Sequence, residues 1–501
     1  MKDFMKKNHF FTYSKMCVLA LTGASALFLA SCARDGYDEE SFDSGVSNKQ
    51  VEAISADDIT ITTSADGKSQ TISWPVVMGA GGYRVNLIDV SNPDEPNSND
   101  SIVDGCSVTS KREEDVNYKM TILTLGNKKK NNTDATDAAV KEFSTFTPTY
   151  MTIPAGSDLA EWFAANPLPA DKVGENLNFD LVGGAEYTLS NLIDFGANSV
   201  TLRSNSKSDW AKIRFTGATS EFSTSAGFVL KYLDIDCSAS TAAFLSLSRN
   251  PAVAPIVVNA WSTDYNFYRV KDNITIMNCN ISGVNSYFLW DNQVSCWFAD
   301  NVLIDNCLVH LTTPADSKAV SGAYFWTNKG AGFFRNLTFN NSTFYDTGEG
   351  DVKYFVQYGG FGNDQVKDPD TQFGWTDNTI TYTNCTFYNV CSSGQWGNYN
   401  GTAGKKTSYW NMKNCIFYNC STSGVARRFL AGKQNQATAV FENNTYMKAD
   451  GTFDNPSGYD NSGTNIEEDP GFKDPDNGDF TISGATQVAR RTGDPRWLPA
   501  N

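Results

Sequence analysis

Four aromatic residues stand out for what their surroundings could do: Trp375 in TQFGWTDN, Tyr358 in KYFVQYGG, and Trp396 and Tyr399 in SSGQWGNYNG. Each is set among glycine and polar amides in a long segment. A sugar ring offers a face of C–H groups on which indoles and phenols stack, while Asn, Gln and Asp satisfy its hydroxyls. These four are therefore expected to be exposed and to contact a glycan. Groups for bond-breaking chemistry are sparser. His310 in LVHL is the only histidine outside the N-terminal leader, and its setting suits a structural or surface role. Lys329, Arg335, Arg428 and Lys433 are candidate bases, and Asp291, Asp300 and Asp305 candidate calcium ligands. No residue is assigned as catalytic. Calcium is the one cofactor left open. Zinc is not expected, because no close CxxC pair accompanies that histidine.

The elements that must hold these residues are announced by a repeat. ITIMNCNI (274–281), VLIDNCLV (302–309), LTFNNSTF (337–344), ITYTNCTF (380–387), WNMKNCIF (410–417) and AVFENNTY (439–446) alternate apolar residues as a strand does. All keep an asparagine in one slot: Asn278, Asn306, Asn341, Asn384, Asn414 and Asn443, separated by 28, 35, 43, 30 and 29 residues. An irregular step above a fixed phrase suits a parallel β-helix, in which insertions escape into loops without breaking the stack. Coils about 4.8 Å apart would let each asparagine amide reach the next as a ladder. Cys279, Cys307, Cys385 and Cys415 follow that slot and read as small apolar side chains turned inward. Phe288, Phe325, Phe355 and Phe429 occupy a second repeated place, with Phe244 before them, and are expected to stack inside. VLKYLDID (229–236) is the same type of strand without its asparagine.

The leader is an address. Lys2, Lys6, Lys7 and Lys15 precede an apolar stretch ending Leu29-Ala30-Ser31-Cys32, which resembles a bacterial lipobox, with Cys32 as the lipidated residue. The acidic run after it resembles the export tag of Bacteroidota surface lipoproteins. An outer-membrane, lipid-anchored location facing the exterior is therefore expected. Beyond about residue 48 nothing is long and apolar enough to span a membrane. A formal charge of −16 argues against nucleic acid as a partner. Of eleven cysteines, nine remain after Cys17 and Cys32, an odd number that suits structural roles better than a disulfide framework. Whether Cys391 and Cys420 pair is open at this level.

Residues 57–146 have a different grammar of short alternating segments, and Trp74, Tyr83 and Tyr118 resemble the core aromatics of a fibronectin type III sandwich. IPAGSDLAEWFAAN reads as a short helix with Asp158 and Glu161 at capping-box spacing, a lid for the first coil. EEDPGFKDPDNGDF and TGDPRWLP resemble the closing segment of pectate-lyase-like β-helix lipoproteins of unknown function from Bacteroidota polysaccharide-utilisation systems.

The expected fold is therefore all-β. Residues 1–32 are a signal peptide with lipobox, 33–55 an acidic tether, 56–148 a fibronectin-like sandwich, and 149–501 a right-handed parallel β-helix. The resemblance implies a surface polysaccharide binder that hands its glycan, a pectic chain being one candidate, to outer-membrane uptake machinery. The alternatives are a calcium-dependent pectate-type lyase with a divergent site and a structural or adhesive stalk. The Gly-His-Gly and Asn-Thr-Asp elements of polygalacturonases are missing. The lyase IDHC strand is matched only as LIDNC, with Asn306 in place of histidine.

Overall fold

The computed structural model describes residues 45–64, 67–90, 101–260, 263–327, 332–359, 375–399, 406–430 and 436–500. Cys17, Cys32 and the acidic run 35–43 lie outside the described residues, as do Lys329 and Lys433. The chain divides into two compact units, Met1–Phe146 and Thr147–Asn501. It is an all-β protein with antiparallel sheets in the first unit and extensive parallel sheets in the second. Among the described residues, no helix is long and apolar enough to cross a membrane.

In the first unit, alternation sets the strands. Asn117–Gly126 buries Tyr118, Met120, Ile122 and Thr124 on one side and pairs antiparallel with Ala80–Asp89 and Ala139–Ser144. A second antiparallel sheet is built from Thr60–Thr63, Ser69–Ser73 and Ser107–Lys111. Ile72 and Trp74 share one core with Tyr83, Val85, Tyr118 and Ile122. Burying each such side chain contributes about 1.5–3 kcal/mol. Trp74 meets Tyr83 edge-on at 5.4 Å. The Tyr83 hydroxyl accepts from the Val77 N–H at 2.9 Å, so its burial leaves no polar group unmet.

In the second unit each repeated phrase pairs in parallel with the next copy. The register runs Val200, Phe228, Ile274, Val302, Leu337, Ile380, Trp410, Ala439 along one column. Beyond the asparagine a second column runs Ile281, Val309, Phe344, Phe387, Phe417, Tyr446. All six slot asparagines adopt left-handed backbone, with φ between 47° and 53°. Asparagine tolerates this conformation better than other side chains that carry a Cβ, and the corner it makes lets the chain turn between two strands. Tyr232 takes the same slot in the earlier VLKYLDID strand, at φ 58°.

The amides hand on hydrogen bonds along the stack. Asn306 Nδ2 donates to Asn278 Oδ1 at 2.6 Å, Asn384 to Asn341 at 3.1 Å, Asn414 to Asn384 at 3.2 Å, and Asn443 to Asn414 at 3.2 Å. One link differs: Asn341 donates to Asp305 Oδ1 at 3.0 Å, while Asn306 Oδ1 accepts from Arg496 at 3.2 Å. An arginine from the C-terminal segment thus takes the Asn306 amide oxygen and interrupts the file.

The interior is built mainly from apolar side chains. Cys279, Cys307, Cys385 and Cys415 are fully buried, and each thiol points to the carbonyl two residues before it. Cys391 and Cys420 are both free thiols. Cys391 O instead accepts the Ser421 N–H at 3.0 Å, a register one residue out for a Cys391–Cys420 bridge. Helix Leu159–Ala165 is capped by Asp158, which accepts from Glu161 N at 3.1 Å. Its Phe163 packs on Phe179 at 5.1 Å and on Phe195 at 5.2 Å, among the first strands of the stack.

The C-terminal segment runs back along the flank of the stack. Arg490 bonds Asn443 Oδ1, Gly493 N donates to Asn414 O, Asp494 N to Thr386 Oγ1, and Trp497 Nε1 to Thr343 Oγ1, before Arg496 reaches Asn306. The threonines that follow the ladder slot give this strap a row of hydroxyls to bind.

Candidate functional site

The second unit carries a seven-stranded parallel sheet beside the strands of the repeated phrase. Its strands are Leu192–Asp194, Glu221–Thr224, Leu245–Leu247, Leu289–Trp290, Ala323–Thr327, Tyr354–Tyr358 and Gln395–Asn398, paired in that order. Register places Asp194, Ser223, Ser246, Trp290, Trp326, Gln357 and Asn398 in one file. The neighbours Leu245, Leu289, Phe325 and Val356 are sealed in the core. Trp290, Trp326, Gln357 and Asn398 are half-buried, so this end of the file lies on the outer side, while Ser223 and Ser246 are buried.

Two indoles therefore occupy successive rungs, about 4.8 Å apart along the stack. The Tyr287 ring lies 4.4 Å from Trp290 and 5.4 Å from Trp326. The exposed Arg249 guanidinium stands 5.8 Å from the Trp290 ring. Trp326 rests on bare backbone: a Cβ on Gly322 would come within 2.5 Å of its six-membered ring, so only glycine leaves room for it there.

The strands of this sheet also carry hydrogen-bonding atoms the protein does not use. Nε1 of Trp290 and Trp326 and Oε1 of Gln357, Gln395 and Glu221 are buried polar atoms without a partner. Leaving such a group unmade costs about 1–3 kcal/mol. Burial raises the Glu221 carboxyl above the usual range, against the pull of Ser246 and Arg249.

The four aromatics expected to be exposed are not. Trp396 is 0 %, Tyr358 1 %, Tyr399 3 % and Trp375 4 % exposed, and the reading of them as surface contacts does not hold. Trp396 continues the interior ring stack: Phe244–Phe288 5.0 Å, Phe288–Phe325 5.1 Å, Phe325–Phe355 5.2 Å, Phe355–Trp396 4.7 Å. Phe429, assigned to the same place, sits instead in the short helix Arg427–Leu430, against Tyr399 and Trp410 at 5.5 Å each. Tyr358 and Tyr399 lie 6.0 Å apart, and Tyr358 donates to Phe334 O at 3.3 Å. Trp375 packs on Phe333 at 5.5 Å beneath the guanidiniums of Arg269 and Arg335.

A signal for Trp396 exists in the sequence. The three intervals between Asn278 and Asn384 supply Phe288, Phe325 and Phe355 to the stack, and between Asn384 and Asn414 the GQWGN segment lies where the strand runs. Trp290 and Trp326 follow directly on the inward Leu289 and Phe325, but Phe288 and Leu289, like Tyr324 and Phe325, are buried in succession, so alternation does not announce which way these indoles face.

The described groups suited to lyase chemistry are buried or engaged within the protein. Asp291 is fully buried, Asp300 is paired with Arg269 at 2.5 Å, and Asp305 receives the Asn341 amide. Arg335 is paired with Asp377 at 2.8 Å. Among the described residues no three His, Cys, Asp or Glu side chains gather to hold a metal. His310 lies flat on Tyr345, 4.3 Å between centroids, with Nε2 2.7 Å from Thr347 Oγ1. Burial lowers its pKa.

Comparison with protein families finds three similarities, all to domains of unknown function: DUF4992 over residues 5–187, DUF4957 over 185–347 and DUF5123 over 380–497. The junctions between these stretches fall inside the second unit, within the stack of repeats. No curated protein matches the chain.

Proposed function

We propose that this protein is a non-catalytic, glycan-binding lipoprotein of the outer cell surface, anchored through Cys32, which passes polysaccharide to uptake machinery in the same membrane. In this reading the stacked repeats are a right-handed parallel β-helix and the first unit is a fibronectin type III-like spacer. The observation that carries the binding role is the pair Trp290 and Trp326, in register on adjacent rungs with Tyr287 against both. Aromatic faces next to unused amide and indole groups are what a sugar chain requires of a surface. Arg249 beside Trp290 offers a cation for an acidic chain such as a pectic one.

The test is native electrophoresis of the mature protein through gels containing plant or host polysaccharides. Retardation by at least one glycan is expected, and W290A and W326A should each abolish most of it without lowering the melting temperature by more than a few degrees. Unaltered retardation of the double variant would refute the site. Release of unsaturated, ultraviolet-absorbing product would instead favour the lyase alternative.

A further inference from the structure

Apart from the tryptophan file, the second unit has a cleft of about 270 Å³ between the second strand of each repeat and the seven-stranded sheet. Its walls carry Asp346, Thr347, Asp351, Asn389, Ser392 and Asn419, with no apolar side chain among them. Most of these groups are fixed before any ligand arrives. Asp346 Oδ1 accepts from Gly348 N at 2.8 Å and Oδ2 from the Tyr324 hydroxyl at 2.6 Å. Asp351 Oδ2 accepts from Ser393 N and from Ser392 Oγ. Asn419 Nδ2 donates to Asn389 Oδ1 at 2.8 Å, and both asparagines hold left-handed corners, φ 52° and 58°. Gly348 and Gly350 let the loop press onto residues 313–315: a Cβ on either would lie within 2.4 Å of a backbone oxygen there.

We propose that this cleft binds one uncharged, polyhydroxylated ring, a single neutral sugar residue. Its size is below that of pockets for drug-sized ligands, which span about 300–1,000 Å³. Without an aromatic or aliphatic wall it offers nothing to a hydrophobic group or a base. Two carboxyl groups disfavour an anion. Fewer than three acidic or imidazole side chains gather there, and the burial that holds Asp346 toward its neutral form further weakens a divalent cation. What remains on offer is a ring of carboxylate, amide and hydroxyl groups, the set that pairs with adjacent sugar hydroxyls. This site does not depend on the stacking face.

Saturation-transfer NMR of the mature protein with free neutral hexoses and pentoses tests it, with uronic acids, an amino sugar and calcium as separate arms. At least one neutral sugar is expected to receive saturation. D351N combined with S392A should weaken it about tenfold, the worth of one or two hydrogen bonds. The same response, and the same loss with D351N and S392A, are expected when the measurement is made in a W290A and W326A background that lacks the stacking face, so failure here and failure of that face are told apart. The proposal is overturned if no neutral sugar binds, if uronates, the amino sugar or calcium bind in preference, or if the double variant, melting like the parent, binds equally well.

Discussion

Trp396 shows how much a single buried ring can matter in a stacked core. It touches Phe355, Phe387 and Phe417 at 4.7, 4.9 and 5.1 Å, on its own rung and its neighbours. W396A should cost about 3–5 kcal/mol in urea denaturation, the range for emptying a large aromatic site, and should not spare folding while removing glycan retention. Asp346 makes a different prediction. Burial pushes its carboxyl up to about 7, while in the unfolded chain it titrates near its ordinary value of about 3.9. The folded state therefore holds the proton more tightly, and the stability this gives is complete below about pH 4 and is lost as pH rises to about 7. D346N cannot ionise. Its stability should fall less between pH 4 and 7 than that of the parent, by an amount on the order of a few kcal/mol, and parallel curves would exclude the argument.

At the scale of the element, the asparagine corner does two jobs, and they can be separated. Asn414 accepts the left-handed backbone, φ 53°, and links Asn384 to Asn443 through its amide. N414A loses both the conformational tolerance, worth about 1–2 kcal/mol, and two hydrogen bonds of about 1 kcal/mol each. N414G keeps the tolerance and should lose only the bonds, so its denaturation midpoint should lie between those of the parent and N414A. Equal losses in the two variants would mean that the left-handed corner contributes nothing. The asparagine phrase was readable because six of these left-handed corners carry the same residue, one that accepts the conformation at low cost. The exposed side of the seven-stranded sheet was not, because its strands are two to five residues long and too short for alternation to announce which ring faces out.

At the scale of the whole second unit, the C-terminal strap ties rungs that are far apart in sequence. Asp494 is fully buried and accepts from Thr343 Oγ1, 151 residues away, at 2.8 Å, while its own N–H binds Thr386. D494A should cost about 1–3 kcal/mol and raise amide exchange at Thr343, Thr386 and Ile416 ahead of the rest of the stack. Uniform exchange across all rungs would show that the strap is ornamental to stability. EEDPGFKDPDNGDF and TGDPRWLP mark this segment in the sequence, but nothing in their composition says whether it covers the end or the side.

The sequence by itself determined the repeating strands, the asparagine corners and the inward cysteines, because each is dictated by local alternation or by a backbone conformation that few residues accept. Tertiary structure alone decided that Tyr358, Tyr399 and Trp375 are sealed while Trp290 and Trp326 are half-exposed. Inside a stack every ring is judged by the rungs above and below, and a tryptophan looks the same in sequence whether it is sealed at Trp375 or half-exposed at Trp326.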